Sequence, residues 1–125
     1  MAVAITNTLI ASLNTDQALT FNAATANVND TPEVFTYTPT GKDGKIVIGF
    51  KNGTGTLSYS IAAGAGVFGV AAKTGTVAAN TTDVIQIETG KYRSAAGTVL
   101  ITLSPAGGTA LLANHAAAMF AIELQ

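Results

Sequence analysis

Gly64-Ala65-Gly66-Val67-Phe68-Gly69 has the G-x-G-x-x-G spacing of a dinucleotide-binding turn. In that chemistry a strand feeds a tight glycine turn that opens a helix, and the helix N-terminus holds a pyrophosphate. A strand-like run precedes Gly64. After Gly69 the chain continues "VAAKTGTVAANTTDVIQIE", with Gly75, several β-branched residues and another alternating run. No helix of useful length fits, so no cofactor is expected. The glycines are expected in a loop and short strand between two sheets, where they supply positive φ or close packing. No Walker-type G-x-x-x-x-G-K-[ST] match is present.

The other chemistry-bearing residues are sparse. His115 is the only histidine. A serine-type triad needs base, nucleophile and orienting acid together, and no G-x-S-x-G elbow accompanies it. The seven acids are thinly spread. Asp83 and Glu88 are five apart and face opposite sides of a strand. Asp30 and Glu33 flank Pro32, and no twelve-residue Ca²⁺ loop is present around them or Asp43. No cysteine exists, which excludes disulfides and thiolate zinc sites. Catalytic, cofactor and metal residues are all expected to be none. "GKYR" gathers Lys91, Tyr92 and Arg93 in a turn, with Tyr92 as the one expected exposed ring, and reads as a solvated turn or a contact for an acidic partner. Asn29, Asn52 and Asn80 begin N-x-[ST] triplets that read as turn residues.

The elements that must carry these residues have a period of two. "KIVIGFK" places Ile46, Ile48 and Phe50 on one side, and "TLSYSIA" does the same with Leu57, Tyr59 and Ile61. "VIQIE", "TVLITL" and "MFAIEL" alternate likewise, and "VFTYT" pairs Phe35 with Tyr37. Alternation of this kind marks half-buried strands. Asn52-Gly53 between two strong runs signals a hairpin. Residues 109–118 offer a turn or two of helix with Thr109 as N-cap. Phe21, Phe35, Phe50, Phe68, Phe120 and Tyr59 fall mostly on inward faces. Half-buried strands must stack on another sheet. The expected fold is all-β: a single β-sandwich, immunoglobulin-like or alternatively jelly-roll, of seven to eight short antiparallel strands. Residues 1–16 read as an N-terminal arm or irregular edge strand, and 17–125 as the sandwich domain.

Charged residues make up 10% of the chain, against about 25% in an average domain. That is the depletion found in interface cores, although Thr and Ser can also solvate such a surface. A net charge of −1 gives no electrostatic case for nucleic acid. No run approaches the roughly 18 apolar residues of a membrane span, and "MAVAITNTLIASL" lacks a basic n-region. A soluble protein without a membrane partner is expected.

The run "FNAATANVNDTPEVFTYTPTGKDGKIVIGFKNGTGTLSYSIAAGAGVFG", followed by "VIQIETGKYRSAAGTVLITLSPAGGTALLANHAAAMFAIELQ", resembles capsid decoration, or cement, proteins encoded near the capsid genes of tailed bacteriophages. The likeness spans roughly residues 20–125. It lies in the order of strands, in "GKY" ahead of a glycine-bounded strand, and in an Ala/His segment before the terminal strand. The resemblance implies a non-enzymatic protein that clamps neighbouring major capsid protein subunits, often at three-fold positions. It implies self-association as a homotrimer, residence on the outer capsid surface of the virion, and the host cytoplasm before assembly. It carries no residue-level site. Exposure arguments nominate Ile5 and Leu9 in the arm, Lys91, Tyr92 and Arg93 in the turn, and His115. The competing expectation is an immunoglobulin-like module of a phage tail or adhesin that recognises glycans through an exposed aromatic platform or a Ca²⁺ cluster.

Overall fold

The computed structural model describes residues 3–11, 16–25, 32–40, 43–106 and 116–124. His115, Asp30 and most of the 109–118 helix expectation lie outside the described residues. The chain is mostly β. Among the described residues ten strands run in the order β1 (Val3–Ala4), β2 (Asn7–Ile10), β3 (Asn22–Ala23), β4 (Glu33–Tyr37), β5 (Ile46–Lys51), β6 (Leu57–Ile61), β7 (Lys73–Val77), β8 (Thr82–Ile87), β9 (Val99–Pro105) and β10 (Ala118–Leu124). A four-residue helix, α1 (Thr89–Tyr92), precedes β9.

One sheet has the order β1-β4-β9-β6-β7, and the other β2-β10-β5-β8, with β3 also on β10. The expectation of seven to eight wholly antiparallel strands is corrected: β1–β4 and β2–β10 pair in parallel. Both parallel partners come from residues 3–10, which the sequence left between an arm and an edge strand. They form two short edge strands, one per sheet, joined where Ile5 N donates to Thr36 O. Ile5 is 7% exposed and packs in the core. That leaves Leu9, half exposed, as the accessible member of the nominated pair.

Period-two patterning explains the core directly. Phe35, Tyr37, Ile46, Ile48, Leu57, Ile61, Ile101 and Leu103 are fully buried in one cluster drawn from both sheets. Each such side chain contributes about 1.5–3 kcal/mol relative to exposure. Phe50 and Tyr59 stack across the two sheets at 4.3 Å and 19°. Tyr59 also lies over Gly75, where an added Cβ would sit 2.6 Å from its hydroxyl.

Three inward assignments are corrected. Phe120 points away from the shared core. Its ring covers Gly49 on the outer side of the sheet, where a Cβ would fall 1.9 Å from the ring. Phe21 packs edge-on against it at 5.4 Å and is 47% exposed. Phe68 is 81% exposed. In β10 it is Met119, Ala121 and Glu123 that face the core. Glu123 is 1% exposed and accepts from Tyr37 Oη, from Thr40 N at 2.8 Å and from Thr40 Oγ1 at 2.8 Å. A buried carboxylate needs such donors, and three of them make a polar residue tolerable on the inner face. Burial and then the hydrogen bond to Glu123 push the Tyr37 phenol far above its ordinary value. Glu33 is held the same way, accepting from Thr25 N at 2.8 Å and Thr25 Oγ1 at 2.6 Å.

Asn52-Gly53 does not close a hairpin, because β5 and β6 lie in different sheets. It carries the chain across the end of the core. Asn52 is 3% exposed. Its Nδ2 donates to the carbonyls of Gly55, Val77 and Ala78 at 2.6, 3.2 and 3.0 Å. Asn52 N and Asn80 N bond to Thr81 O and Gly53 O. The β5–β6 and β7–β8 crossings are thereby tied together. An Asn-Gly pair supplies the turn, but cross-linking to a neighbouring crossing decides its use.

Candidate binding surface

Among the described residues, only β6 and β7 are joined as a sequential hairpin, and their connection, residues 62–72, contains the G-x-G-x-x-G pattern. The expected placement between two sheets is therefore corrected: both flanking strands belong to one sheet. No phosphate-binding helix comes after the glycines, since β7 does. The glycines serve close backbone approach instead. A Cβ on Gly64 would lie 2.0 Å from Lys91 O, and one on Gly69 would lie 2.4 Å from Gly64 O. A Cβ on Gly66 would meet nothing within 4 Å.

The loop closes on itself through Gly64 N to Val70 O at 3.1 Å and Gly69 N to Gly66 O at 2.9 Å. It is fastened to α1 and the residue after it by Ala65 N to Arg93 O and Val70 N to Lys91 O, both 3.1 Å. The helical turn is anchored in its own right. Asp43 accepts from Thr89 Oγ1 at 3.1 Å and from Gly90 N at 3.3 Å. Two segments that are separate in sequence, the glycine pattern and "GKYR", thus form one surface.

At its tip Val67 is 97% exposed and Phe68 81%, with Val70 beside them. This is a rigid apolar knob. Lys91 stands nearby, exposed and ion-paired with Glu88. Its hydrogen bond to the Glu88 carboxylate, and then the charge of that group, raise the Lys91 ammonium above its ordinary value. Arg93 Nη2 reaches Thr89 Oγ1 at 3.4 Å. Tyr92 is half-buried against the core rather than the exposed ring; Phe68 takes that role. Sequence reasoning missed Phe68 because it grouped the ring with the inward-facing aromatics of the strands. Its place between Gly66 and Gly69 is the signal that it caps a loop. Leu9 lies on an edge strand of the other sheet and Ile5 in the core, so neither joins this surface.

Between β7 and β8 runs an open groove of about 470 Å³ with Phe50, Tyr59, Lys73, Asp83 and Ile85 in its walls. Lys73 and Asp83 come from opposite strands, and no nucleophile–base pair meets there. Among the described residues no three His, Cys, Asp or Glu group to hold a metal ion, and no helix is long and apolar enough to cross a membrane. Comparison with known proteins gave no match to a family profile, a curated protein or a solved structure. The chemistry of the surface is therefore read from its own residues: apolar insertion, with cationic neighbours.

Proposed function

We propose that this is a non-enzymatic structural protein that binds and stabilises the assembled capsid shell of a tailed phage from its outer surface. The observation that carries the reading is the Val67–Phe68 knob. Two large apolar side chains in water are unfavourable by roughly 25 cal/mol per Å², yet the loop holds them out with four backbone hydrogen bonds. Preorganisation of this kind lowers the ordering cost of docking. Low charge and the resemblance of residues 20–125 to decoration proteins support the same reading.

The fold belongs to this proposal as an immunoglobulin-like β-sandwich. The crossed pairing of β5 with β8 and β6 with β9 corresponds to the B–E and C–F neighbours of that arrangement. It departs from it at the ends, where β4 joins β9 and β10 joins β5.

The test is co-sedimentation with expanded, undecorated shells, using unexpanded procapsids as the control. Saturable binding to expanded shells alone is expected, with at least a tenfold loss for Val67→Ser/Phe68→Ser. Absence of binding to either particle refutes the proposal. The exposed Phe68 ring also favours a second reading, a glycan-binding module. Binding of soluble glycans lost with Phe68→Ser, and no shell binding, would install that reading instead.

A further inference from the structure

Asn52-Gly53 is the only Asn-Gly pair in the chain. Such a pair can react with itself. The Gly53 nitrogen attacks the side-chain carbonyl carbon of Asn52, and glycine has no side chain to hinder the approach. A C–N bond forms, the nitrogen's proton passes to the leaving amide, and ammonia departs from a five-membered succinimide. Water then opens the ring at either carbonyl, giving aspartate or its β-linked isomer at position 52. One water is consumed and one ammonia released, with no change of oxidation state.

The native surroundings of Asn52 oppose each step. The residue is 3% exposed, which keeps out the water that would carry the protons. Its backbone is pinned on both sides of the reacting bond. Asn52 N donates to Thr81 O at 3.0 Å, and Gly53 O accepts from Asn80 N at 2.7 Å. The leaving nitrogen, Nδ2, is held by the carbonyl oxygens of Gly55, Val77 and Ala78 at 2.6, 3.2 and 3.0 Å. Those partners are acceptors only, whereas the nitrogen must gain a proton to depart. Oδ1, where negative charge develops as Gly53 attacks, is buried with no donor. A developing oxyanion needs donors aimed at it. The orphaned Oδ1 contributes nothing to the frame, and it marks the amide as electrostatically shielded from attack.

We propose that Asn52 is a deamidation site which the native fold silences, and that its reaction in an opened chain blocks the return to this fold. The reacted side chain cannot replace the amide. Aspartate puts an oxygen where Nδ2 meets three carbonyl oxygens, and a buried charge without a partner is strongly destabilising. The β-linked isomer adds one carbon to the backbone between the bonds to Thr81 and Asn80, and so breaks their register. Either product loses the tie between the β5–β6 and β7–β8 crossings. Opening of the chain thereby becomes irreversible with time. The device needs neither a shell nor any other partner.

The experiment incubates the full chain in one mildly alkaline buffer, folded and in denaturing urea, and follows position 52 by peptide mass mapping. Asn52 is expected to deamidate in urea, and at least about a hundredfold more slowly in the folded protein, where reaction awaits opening of the crossing. Gly53→Ala in urea is expected to slow the reaction about tenfold by crowding the attacking nitrogen. Samples taken from urea are then diluted to refold. Recovery of the circular dichroism signal is expected to fall in step with the deamidated fraction, and the refolded protein, isolated by size exclusion, to retain Asn52. Asn52→Asp, made directly, is expected to unfold in less urea than Asn52→Ala, because a charge is added to the lost donor. Deamidation of the folded protein at a rate comparable to that in urea overturns the shielding. No reaction at Asn52 in urea, recovery that falls ahead of deamidation, or a refolded fraction as rich in aspartate at position 52 as the whole sample overturns the proposal. Asn52→Asp as stable as Asn52→Ala does the same.

Discussion

Replacing Tyr37 by Phe deletes a single hydroxyl from the interior. That hydroxyl belongs to a fully buried ring and donates to Glu123, itself 1% exposed. Hydrogen bonds to charged groups contribute roughly 1.5–3 kcal/mol. Glu123 keeps its two bonds from Thr40, so the lower half of that range applies. Tyr37→Phe is expected to lose about 2 kcal/mol near pH 8, a fall in Tm of roughly 5–10 °C for a domain of this size. The pH dependence is a second signature. The folded state holds the phenol protonated far above its ordinary value, whereas the unfolded chain ionises it near pH 10. The contribution is therefore complete below about pH 10 and is lost as pH rises, at about 1.4 kcal/mol per pH unit. The phenylalanine variant has no such loss, and every other titrating group is common to both proteins. The gap between them should close within about 1.5 pH units above pH 10. Urea melts followed by circular dichroism between pH 7 and 11.5 measure it, provided the m-value stays constant. A gap that is absent at pH 8, or that persists unchanged to pH 11.5, would refute the account of Glu123 and Tyr37 as a buried hydrogen-bonded pair.

Other substitutions test other parts of the frame. Asn52→Ala strips a buried donor from the carbonyls of Gly55, Val77 and Ala78, and chemical denaturation should show about 2–3 kcal/mol of lost stability. Gly49→Ala forces the Phe120 ring off the sheet and should cost about 1–3 kcal/mol. The same change in a Phe120→Ala background should be nearly neutral, which a double-mutant cycle reads directly. Lys91→Gln removes an exposed ion pair with Glu88; surface pairs add little, and thermal melts should leave Tm within experimental error of wild type.

Composition and alternation by themselves decided the class of this protein. Strands from Ile46, Leu57, Val99 and Ala118 follow period two, because a pleated strand with one side in a core requires it. That a strand and not a helix follows Gly69 was also legible, since the run after it is rich in β-branched residues and leads into another alternating stretch. Tertiary structure alone decided the partners. Asn52-Gly53 suits a hairpin locally, but the sheet each strand joins is a long-range choice, and here the chain crosses between sheets. The outer face of β10 is apolar as well as the inner one, so alternation could not say which of Phe120 or Met119 faces the core. Glu123 faces inward only because Tyr37 and Thr40, more than eighty residues away in sequence, donate to it. The glycine loop and "GKYR" became one surface for the same reason: backbone contact between them depends on how the two sheets are assembled, and no local pattern records that distance.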